Sequence, residues 1–367
     1  MTDSQDHPRI TVYGATGYTG RRVCRELADR QRDFVAAGRN LEKLQQLSAR
    51  LGERYGVVPT LRQATVDDAH SLDSMLAQTN VLINCAGPFT ELGPPVSQAA
   101  VRNDVHYLDT TGEQRYIRWL RDELDAKATR NEVVLMPSCA YEYATGMIVG
   151  ALALEQSADE IVVCYGVSNF DTTPGTKKSI IRSVAEEGYT YRDGQLAAQK
   201  SGATIYEVPC PGGEKRFGAW FPGGEPILLP RLGEVVTAES CLLVGKVWSK
   251  LIASASGVLP GLAKVAKPVV DSLVEYLDRR GDDADDNGER SPFQVVAFHP
   301  DGSEWYAALF GYDPYPTTAR IIVEAASRLD ERHELEYGVQ SPPSLFDPRE
   351  FSESVGLDPQ VNEPTDR

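Results

Sequence analysis

The chain is most easily read from what it lacks. Its six cysteines, Cys24, Cys85, Cys139, Cys164, Cys210 and Cys241, are scattered through 367 residues, and no pair has the C-x-x-C spacing of a metal knuckle or redox site. The five histidines are equally dispersed. Structural zinc and a disulfide scaffold are therefore excluded, no metal site is expected, and the thiols imply a reducing compartment. Basic residues are also short: 37 Lys and Arg stand against 53 Asp and Glu, a net charge of −16. Such a surface repels phosphate backbones, so nucleic acid is not an expected partner. Long apolar runs are missing. The uncharged stretch 251–263 is broken by Gly257, Pro260 and Gly261 and is too short to span a bilayer. The first residues, MTDSQDHPR, lack the basic and apolar regions of a signal peptide. The expectation is a soluble, cytoplasmic protein with no transmembrane segment, with peripheral lipid contact left open. None of the 16 tyrosines is followed four residues on by lysine. The Tyr-x-x-x-Lys pair that lowers a tyrosine pKa in short-chain dehydrogenases is thus absent. There is no internal repeat.

What is present is an alternation. Apolar runs at Ile10–Tyr13, Phe34–Ala37, Leu61–Ala64, Val81–Asn84, His106–Leu108 and Val133–Met136 read as strands. Helical patterns fall between them at Arg21–Arg30, Leu41–Leu51, Ser71–Ala77, Gly93–Asn103 and Glu113–Arg130. Strands alternating with helices build β-α-β units, and right-handed crossovers make a Rossmann-type, doubly wound parallel sheet the expected topology. After Cys139 the rhythm changes. Ile161–Val167 reads as a strand, Thr176–Glu186 as a helix and 188–235 as a β meander. Thr237–Lys250 reads as a helix, and 258–277 repeats apolar residues at three- and four-residue steps. Residues 279–290 (RRGDDADDNGER) read as a mobile acidic loop. Gln294–Phe298 and Trp305–Phe310 suggest a hairpin, Thr317–Leu329 a helix, and the tail from Gln340 a Pro-rich loop. The fold class expected is α/β, with an inserted mixed α/β (α+β) domain. Residues 1–140 plus 310–367 form the nucleotide-binding domain, and 141–309 form a substrate and dimerisation domain.

One motif carries chemistry. Gly14-Ala-Thr16-Gly17-Tyr18-Thr19-Gly20 follows the first strand and opens the first helix. Gly14 permits the tight turn, Gly17 lets backbone amides approach a pyrophosphate, and Gly20 allows close helix–sheet packing. The spacing is G-x-x-G-x-x-G, and its position between strand and helix gives it weight. The second strand ends in Ala37-Gly38-Arg39-Asn40, where NAD enzymes place a carboxylate on the ribose 2′-hydroxyl. A guanidinium there suits a 2′-phosphate, so NADP(H) is favoured over NAD. Asn84-Cys85-Ala86-Gly87-Pro88-Phe89 ends the fourth strand at the same rim. The candidate cofactor-binding residues are Gly14, Thr16, Gly17, Tyr18, Thr19, Gly20, Arg39, Asn40, Asn84, Ala86, Gly87 and Pro88.

These segments, with Tyr107-Leu-Asp109-Thr-Thr-Gly112-Glu113, Gly175-Thr176-Lys-Lys-Ser179 and Tyr315-Pro-Thr-Thr318-Ala319, resemble the saccharopine dehydrogenase-like oxidoreductases, including the trans-acting enoyl reductases of bacterial lipid synthesis. The resemblance implies a Rossmann domain, an inserted mixed domain and a C-terminal return to the first domain. It departs at Cys139-Ala140-Tyr141-Glu142-Tyr143, where the family often carries a G-F-D-x-x-P stretch, and at Asp104, where it usually has glycine.

The leading reading is an NADP(H)-dependent reductase of a C=C or C=N bond in a small, apolar, lipid-like substrate. Its candidate catalytic residues are Tyr141, Glu142, Tyr143 and Cys139, with hydride from nicotinamide C4 and a proton from the protein. Lys177 and Lys178 are either an anion contact or a solvated helix start. Two alternatives stay open: a semialdehyde-type dehydrogenase with Cys139 as thiol nucleophile and His299 as base, and a non-catalytic NADP-binding regulator. A homodimer stays an open option.

Overall fold

The computed structural model describes residues 9–167, 187–200, 203–210, 213, 215–244, 291–301, 305–332 and 334–362. The chain divides into two units. The first takes residues 1–111, 115–144 and 315–345; the second takes 112–114, 145–314 and 346–367.

In the first unit, β1 (Ile10–Tyr13), β2 (Phe34–Gly38), β3 (Thr60–Gln63), β4 (Val81–Asn84), β5 (His106–Asp109), β6 (Val134–Met136) and β15 (Gly338–Val339) form one sheet in the order β15-β6-β5-β4-β1-β2-β3. Every pairing in it is parallel. The strands β1, β2 and β4 are buried at every residue, as expected of a sheet covered on both faces. The direction of the crossovers reverses between β1 and β4, which makes their carboxyl ends the switch point where doubly wound sheets hold ligands. The helix α1 (Tyr18–Asp29) buries Gly20, Val23, Cys24, Leu27 and Ala28, a single face at three- and four-residue steps. The helix α2 (Leu41–Tyr55) starts on the side chain of Asn40 and ends at Gly56 in the left-handed conformation.

The helix α3 spans Ala69–Met75, and α4 (Phe89–Arg102) starts four residues before the glycine at which the sequence pattern begins. It carries Pro94 and Pro95 inside it, which is why the pattern alone reads its first turn as loop. The single helix expected over Glu113–Arg130 is α5 (Gln114–Trp119) and α6 (Asp125–Arg130), joined by a π-helical turn at Leu120–Leu124. The segment Tyr141–Glu155, α7, runs from the first unit into the second. The return to the first unit is a helix at Pro314–Glu331, tied to it by ion pairs from Arg30 to Glu324 (2.6 Å) and from Arg9 to Asp330 (2.9 Å).

The second unit is built on a mixed sheet. Its strands are β7 (Glu160–Val167), β8 (Glu187–Arg192), β9 (Gln195–Lys200), β10 (Ile205–Pro209), β11 (Lys215–Trp220), β12 (Thr237–Val244), β13 (Pro292–Phe298), β14 (Tyr306–Tyr312) and β16 (Asp358–Asn362). They lie in the order β10-β11-β12-β7-β13-β14-β16, with β8 pairing β12 and β9. Among the described residues β7 and β12 alone pair in parallel; the other pairings are antiparallel. A core of Val162, Cys164, Val208, Trp220, Cys241 and Phe298, among others, packs beside it.

Three expectations need correction. Thr237–Val244 is a strand, not the start of a helix. It pairs with β7 over six residues, and its polar Glu239 and Ser240 find partners that the local pattern does not reveal. The tail from Gln340 is not loop: it holds short helices at Pro342–Leu345 and Pro348–Ser354, the second capped by Asp347, and then β16. Consequently residues 346–367 fall in the second unit, because β16 pairs with β14. The expected helix at 176–186 with Lys177 and Lys178, the 175–179 element, the apolar pattern at 258–277 and the acidic loop at 279–290 lie outside the described residues.

Candidate functional site

The glycine loop leaves β1 at the switch point. Gly14 has φ +77°, and a Cβ there would stand 2.8 Å from the Ala86 amide nitrogen. At Gly20 a Cβ would stand 2.2 Å from the Gly14 carbonyl oxygen. Both contacts are with backbone, so neither position accepts a side chain without moving the main chain. The loop is closed by the Gly17 amide donating to Gly14 O (2.9 Å), and Arg21 Nη1 donates to Thr16 O (2.9 Å). The first turn of α1 has no side-chain cap and no acidic residue. Its amides at Tyr18, Thr19 and Gly20 are the positive end of a 12-residue helix, a setting suited to an anion. Tyr18 packs edge-on against Tyr315 with ring centroids 4.9 Å apart, and the Arg22 guanidinium lies 3.9 Å over the Tyr18 ring.

The end of β2 is the second element. Gly38 is buried, yet a Cβ placed on it would meet no atom within 4 Å. Space is therefore kept beside this backbone, which fits a nucleotide ribose. Arg39 follows, exposed, and makes no side-chain hydrogen bond or ion pair among the described residues; its carbonyl accepts from Gln63 Nε2 (2.9 Å). Its charge is felt at the buried Tyr13 hydroxyl. Burial raises the Tyr13 pKa, Arg39 works against that rise, and Asp67 adds to it. Asn40 is occupied otherwise: its Oδ1 accepts from the Lys43 amide (2.9 Å) and caps α2.

The loop after β4 is the third. Asn84 is fully buried and turned away from the rim: its Oδ1 accepts from the Ala86 amide (3.0 Å), and its Nδ2 donates to the Tyr107 hydroxyl (3.0 Å). Ala86, Gly87 and Pro88 keep surface at the rim. Cys85 is crowded enough that its thiol is pushed up to about 12, by burial first and by Asp109 second.

The fourth element joins β5 to β6. Asp109 Oδ1 accepts from the amides of Thr111 (2.9 Å) and Ser138 (2.8 Å), and Asp109 O accepts from the Cys139 amide (2.8 Å). One buried residue thus ties two loops together ahead of α7. The segment that follows is tightly turned: Ser138 has φ 54° and Tyr143 φ 74°, both left-handed and neither glycine. Helical backbone begins only at Ala144. Of the expected catalytic group, Cys139, Tyr141 and Tyr143 are buried, and Glu142 alone retains surface. The packing around its carboxyl nevertheless raises the Glu142 pKa. Cys139 has no exposed surface, and burial with Asp109 pushes its thiol well up. This is the reverse of the electropositive setting that makes a nucleophilic thiolate. His299 lies in the second unit against Trp305.

The sequence does not reveal the packing of Tyr315 on Tyr18 or the bond from Asn84 to Tyr107. Tyr315 stands about 300 positions from Tyr18 in sequence, and no local pattern links them. Among the described residues no His, Cys, Asp and Glu cluster could hold a metal, and no helix is long and apolar enough to cross a membrane.

A parallel sheet with an uncapped glycine turn at its switch point and a cation at the end of β2 defines a dinucleotide-binding Rossmann unit, here one for NADP(H). Residues 10–136 match the family described as "Saccharopine dehydrogenase NADP binding domain", and the chain is similar to curated saccharopine dehydrogenase-like oxidoreductases. It is 26% identical to the mouse "Saccharopine dehydrogenase-like oxidoreductase" over 211 residues, covering 51% of this chain and 48% of that one. It is 28% identical over 135 residues to the "Trans-acting enoyl reductase" of Mycobacterium leprae, covering 36% and 32%. The chain thus spans about half or less of the length of the curated relatives it matches. The apo saccharopine dehydrogenase (L-Glu forming) of Saccharomyces cerevisiae shares the fold, with TM-score 0.64, 13% identity and coverage of 97% and 100%.

Proposed function

We propose that the chain is an NADP(H)-dependent reductase of a C=C or C=N bond in a small, apolar, lipid-like substrate. The observation that carries the cofactor assignment is the pairing of Arg39, exposed and without a side-chain partner among the described residues, with the open space beside Gly38. Arg39 holds the 2′-phosphate by charge-assisted hydrogen bonds. The amides of the first turn of α1 hold the pyrophosphate, and Ala86, Gly87 and Pro88 border the nicotinamide side. Bound NADPH supplies the hydride. Glu142 supplies the proton, because a carboxyl whose pKa is raised by packing keeps its proton closer to neutral pH. The similarity to an enoyl reductase supports the C=C reading. The second unit is the proposed substrate and dimerisation module.

The test is a titration of Arg39→Ser with both cofactors. NADPH affinity falls by about tenfold, the worth of one charge-assisted contact, and NADH affinity stays within about twofold. Unchanged NADPH affinity, or a wild type that prefers NADH, overturns the cofactor assignment. On a panel of enoyl and imine substrates, the wild-type rate falls as pH rises through the raised Glu142 pKa. Glu142→Gln removes that limb, and an unaltered limb in the variant removes Glu142 from the mechanism.

A further inference from the structure

We infer that Asn84, Tyr107 and Tyr116 form a buried positioning chain that sets the nicotinamide-side loop of the cofactor site. The inference rests on the cofactor orientation proposed above. The chain begins at the loop itself: the Ala86 amide donates to Asn84 Oδ1 (3.0 Å). Asn84 Nδ2 donates to the Tyr107 hydroxyl (3.0 Å), and the hydroxyls of Tyr107 and Tyr116 are 3.0 Å apart. All three side chains are buried. An amide side chain can present either its oxygen or its nitrogen to a given neighbour. The Ala86 amide can only donate and so takes the oxygen, and the nitrogen is left to donate to the Tyr107 hydroxyl. Asn84 is therefore held at both ends, and the Tyr107 hydroxyl beneath the site keeps it in the rotation that meets Ala86-Gly87-Pro88.

The far end of the chain is held by shape. A Cβ on Gly93 would stand 2.5 Å from the Tyr116 ring, so the ring lies directly on the backbone of α4, the helix that the loop opens into. Phe89, the first residue of that helix, lies 6.0 Å from the Tyr116 ring, and Trp119 stacks on it at 5.8 Å. The two ends of the loop thus meet two tyrosines that are bonded to each other, Asn84 meeting Tyr107 and Phe89 meeting Tyr116. None of these residues lies on the β2 side of the sheet, where Arg39 stands. Removing a link should loosen the nicotinamide half of the site and spare the adenosine half.

That asymmetry supplies the test. Binding of NADPH and of 2′,5′-ADP, which carries only the adenosine half, is measured for the full chain, for Tyr107→Phe and for Tyr116→Phe, with thermal melting in parallel. Tyr107→Phe weakens NADPH by about tenfold, the scale of one buried hydrogen bond, and leaves 2′,5′-ADP within about twofold. Tyr116→Phe, which leaves the Asn84–Tyr107 bond in place, shifts NADPH in the same direction by a smaller factor. A melting change with both ligands weakened equally, or with neither weakened, marks a purely structural network and overturns the inference. If Tyr107→Phe shows no cooperative melt, the Tyr116→Phe ratio of the two affinities decides in the same way. A wild type that binds 2′,5′-ADP no better than 5′-AMP sinks the Arg39 reading alone. The tyrosine comparison is then read on NADH against 5′-AMP.

Discussion

The two sheets of this molecule treat buried polar groups differently. In the parallel sheet of the first unit the buried polar side chains Asn84 and Asp109 stand at strand carboxyl ends, apart from Thr11, which bonds Thr79 (2.7 Å). There they hold the amides of the loops that follow, Ala86, Thr111 and Ser138. In the second unit the buried polar side chains, Glu239 in a strand and Glu225 at the start of the short helix Glu225–Leu228, bond to other side chains. Glu239 of β12 accepts from Thr190 (2.6 Å), from Arg192 Nε (2.7 Å) and from Tyr206. Glu225 accepts from Ser240 (2.6 Å) and Tyr165. The first arrangement shapes the loops at the strand carboxyl ends. The second secures strands to one another and to the helix at Glu225, with each buried charge hydrogen-bonded.

The sharpest way to break the contrast is Glu239→Ala. It leaves Thr190, Tyr206 and Arg192 without their acceptor and should cost about 3 kcal/mol in urea unfolding. NADPH affinity should stay within about twofold; a large fall would mean that the mixed sheet is not the purely structural one. Next is Gly20→Ala, which sets a methyl against the Gly14 carbonyl. About 2 kcal/mol of destabilisation is expected, with NADPH affinity falling alongside, and normal affinity in titration would contradict the loop geometry.

Cys139→Ser is expected to cost about 1 kcal/mol, because a hydroxyl replaces a buried thiol. Turnover should stay within about twofold, and its abolition would restore the thiol mechanism. The smallest effect concerns His106. Its Nδ1 accepts from the Val134 amide (3.1 Å), which requires neutral imidazole. Burial lowers the His106 pKa, with Asp330 opposing. The unfolded chain takes up its proton near pH 6.5, before the folded one does. The stabilisation is therefore complete above about pH 6.5 and is lost as pH falls toward the lowered folded value. His106→Asn keeps an acceptor oxygen in that place and does not titrate. It should flatten that part of the stability curve, and an unchanged slope in acid unfolding would assign it elsewhere.

Much of the first unit was legible locally. Six strands of period and length suited to a covered sheet, and a glycine turn after the first of them, need only neighbouring residues to be recognised. Arg39 was legible as a cation in a carboxylate's place. Asn40 and Asn84 were legible as rim residues, but not for what they do. Their side chains answer to Lys43 and Tyr107, the second of which stands on the neighbouring strand. The strand β12 was misread because Glu239 and Ser240 look solvated until Arg192, Tyr206 and Glu225 are brought to them. The tail was misread because β16 is a strand only beside β14.

The class of the first unit, its NADP(H) preference and the position of the glycine turn are legible in the residues alone, since these depend on contacts within about thirty residues and on backbone freedom at glycine. Packing of the whole chain was needed to fix which polar groups keep surface and which are buried. It left Glu142 with surface and a raised pKa, closed Cys139 away, and joined Asn84 through Tyr107 to Tyr116. The reason is physical: a side chain's exposure, its hydrogen-bond partner and its proton affinity are set by atoms packed around it from distant parts of the chain.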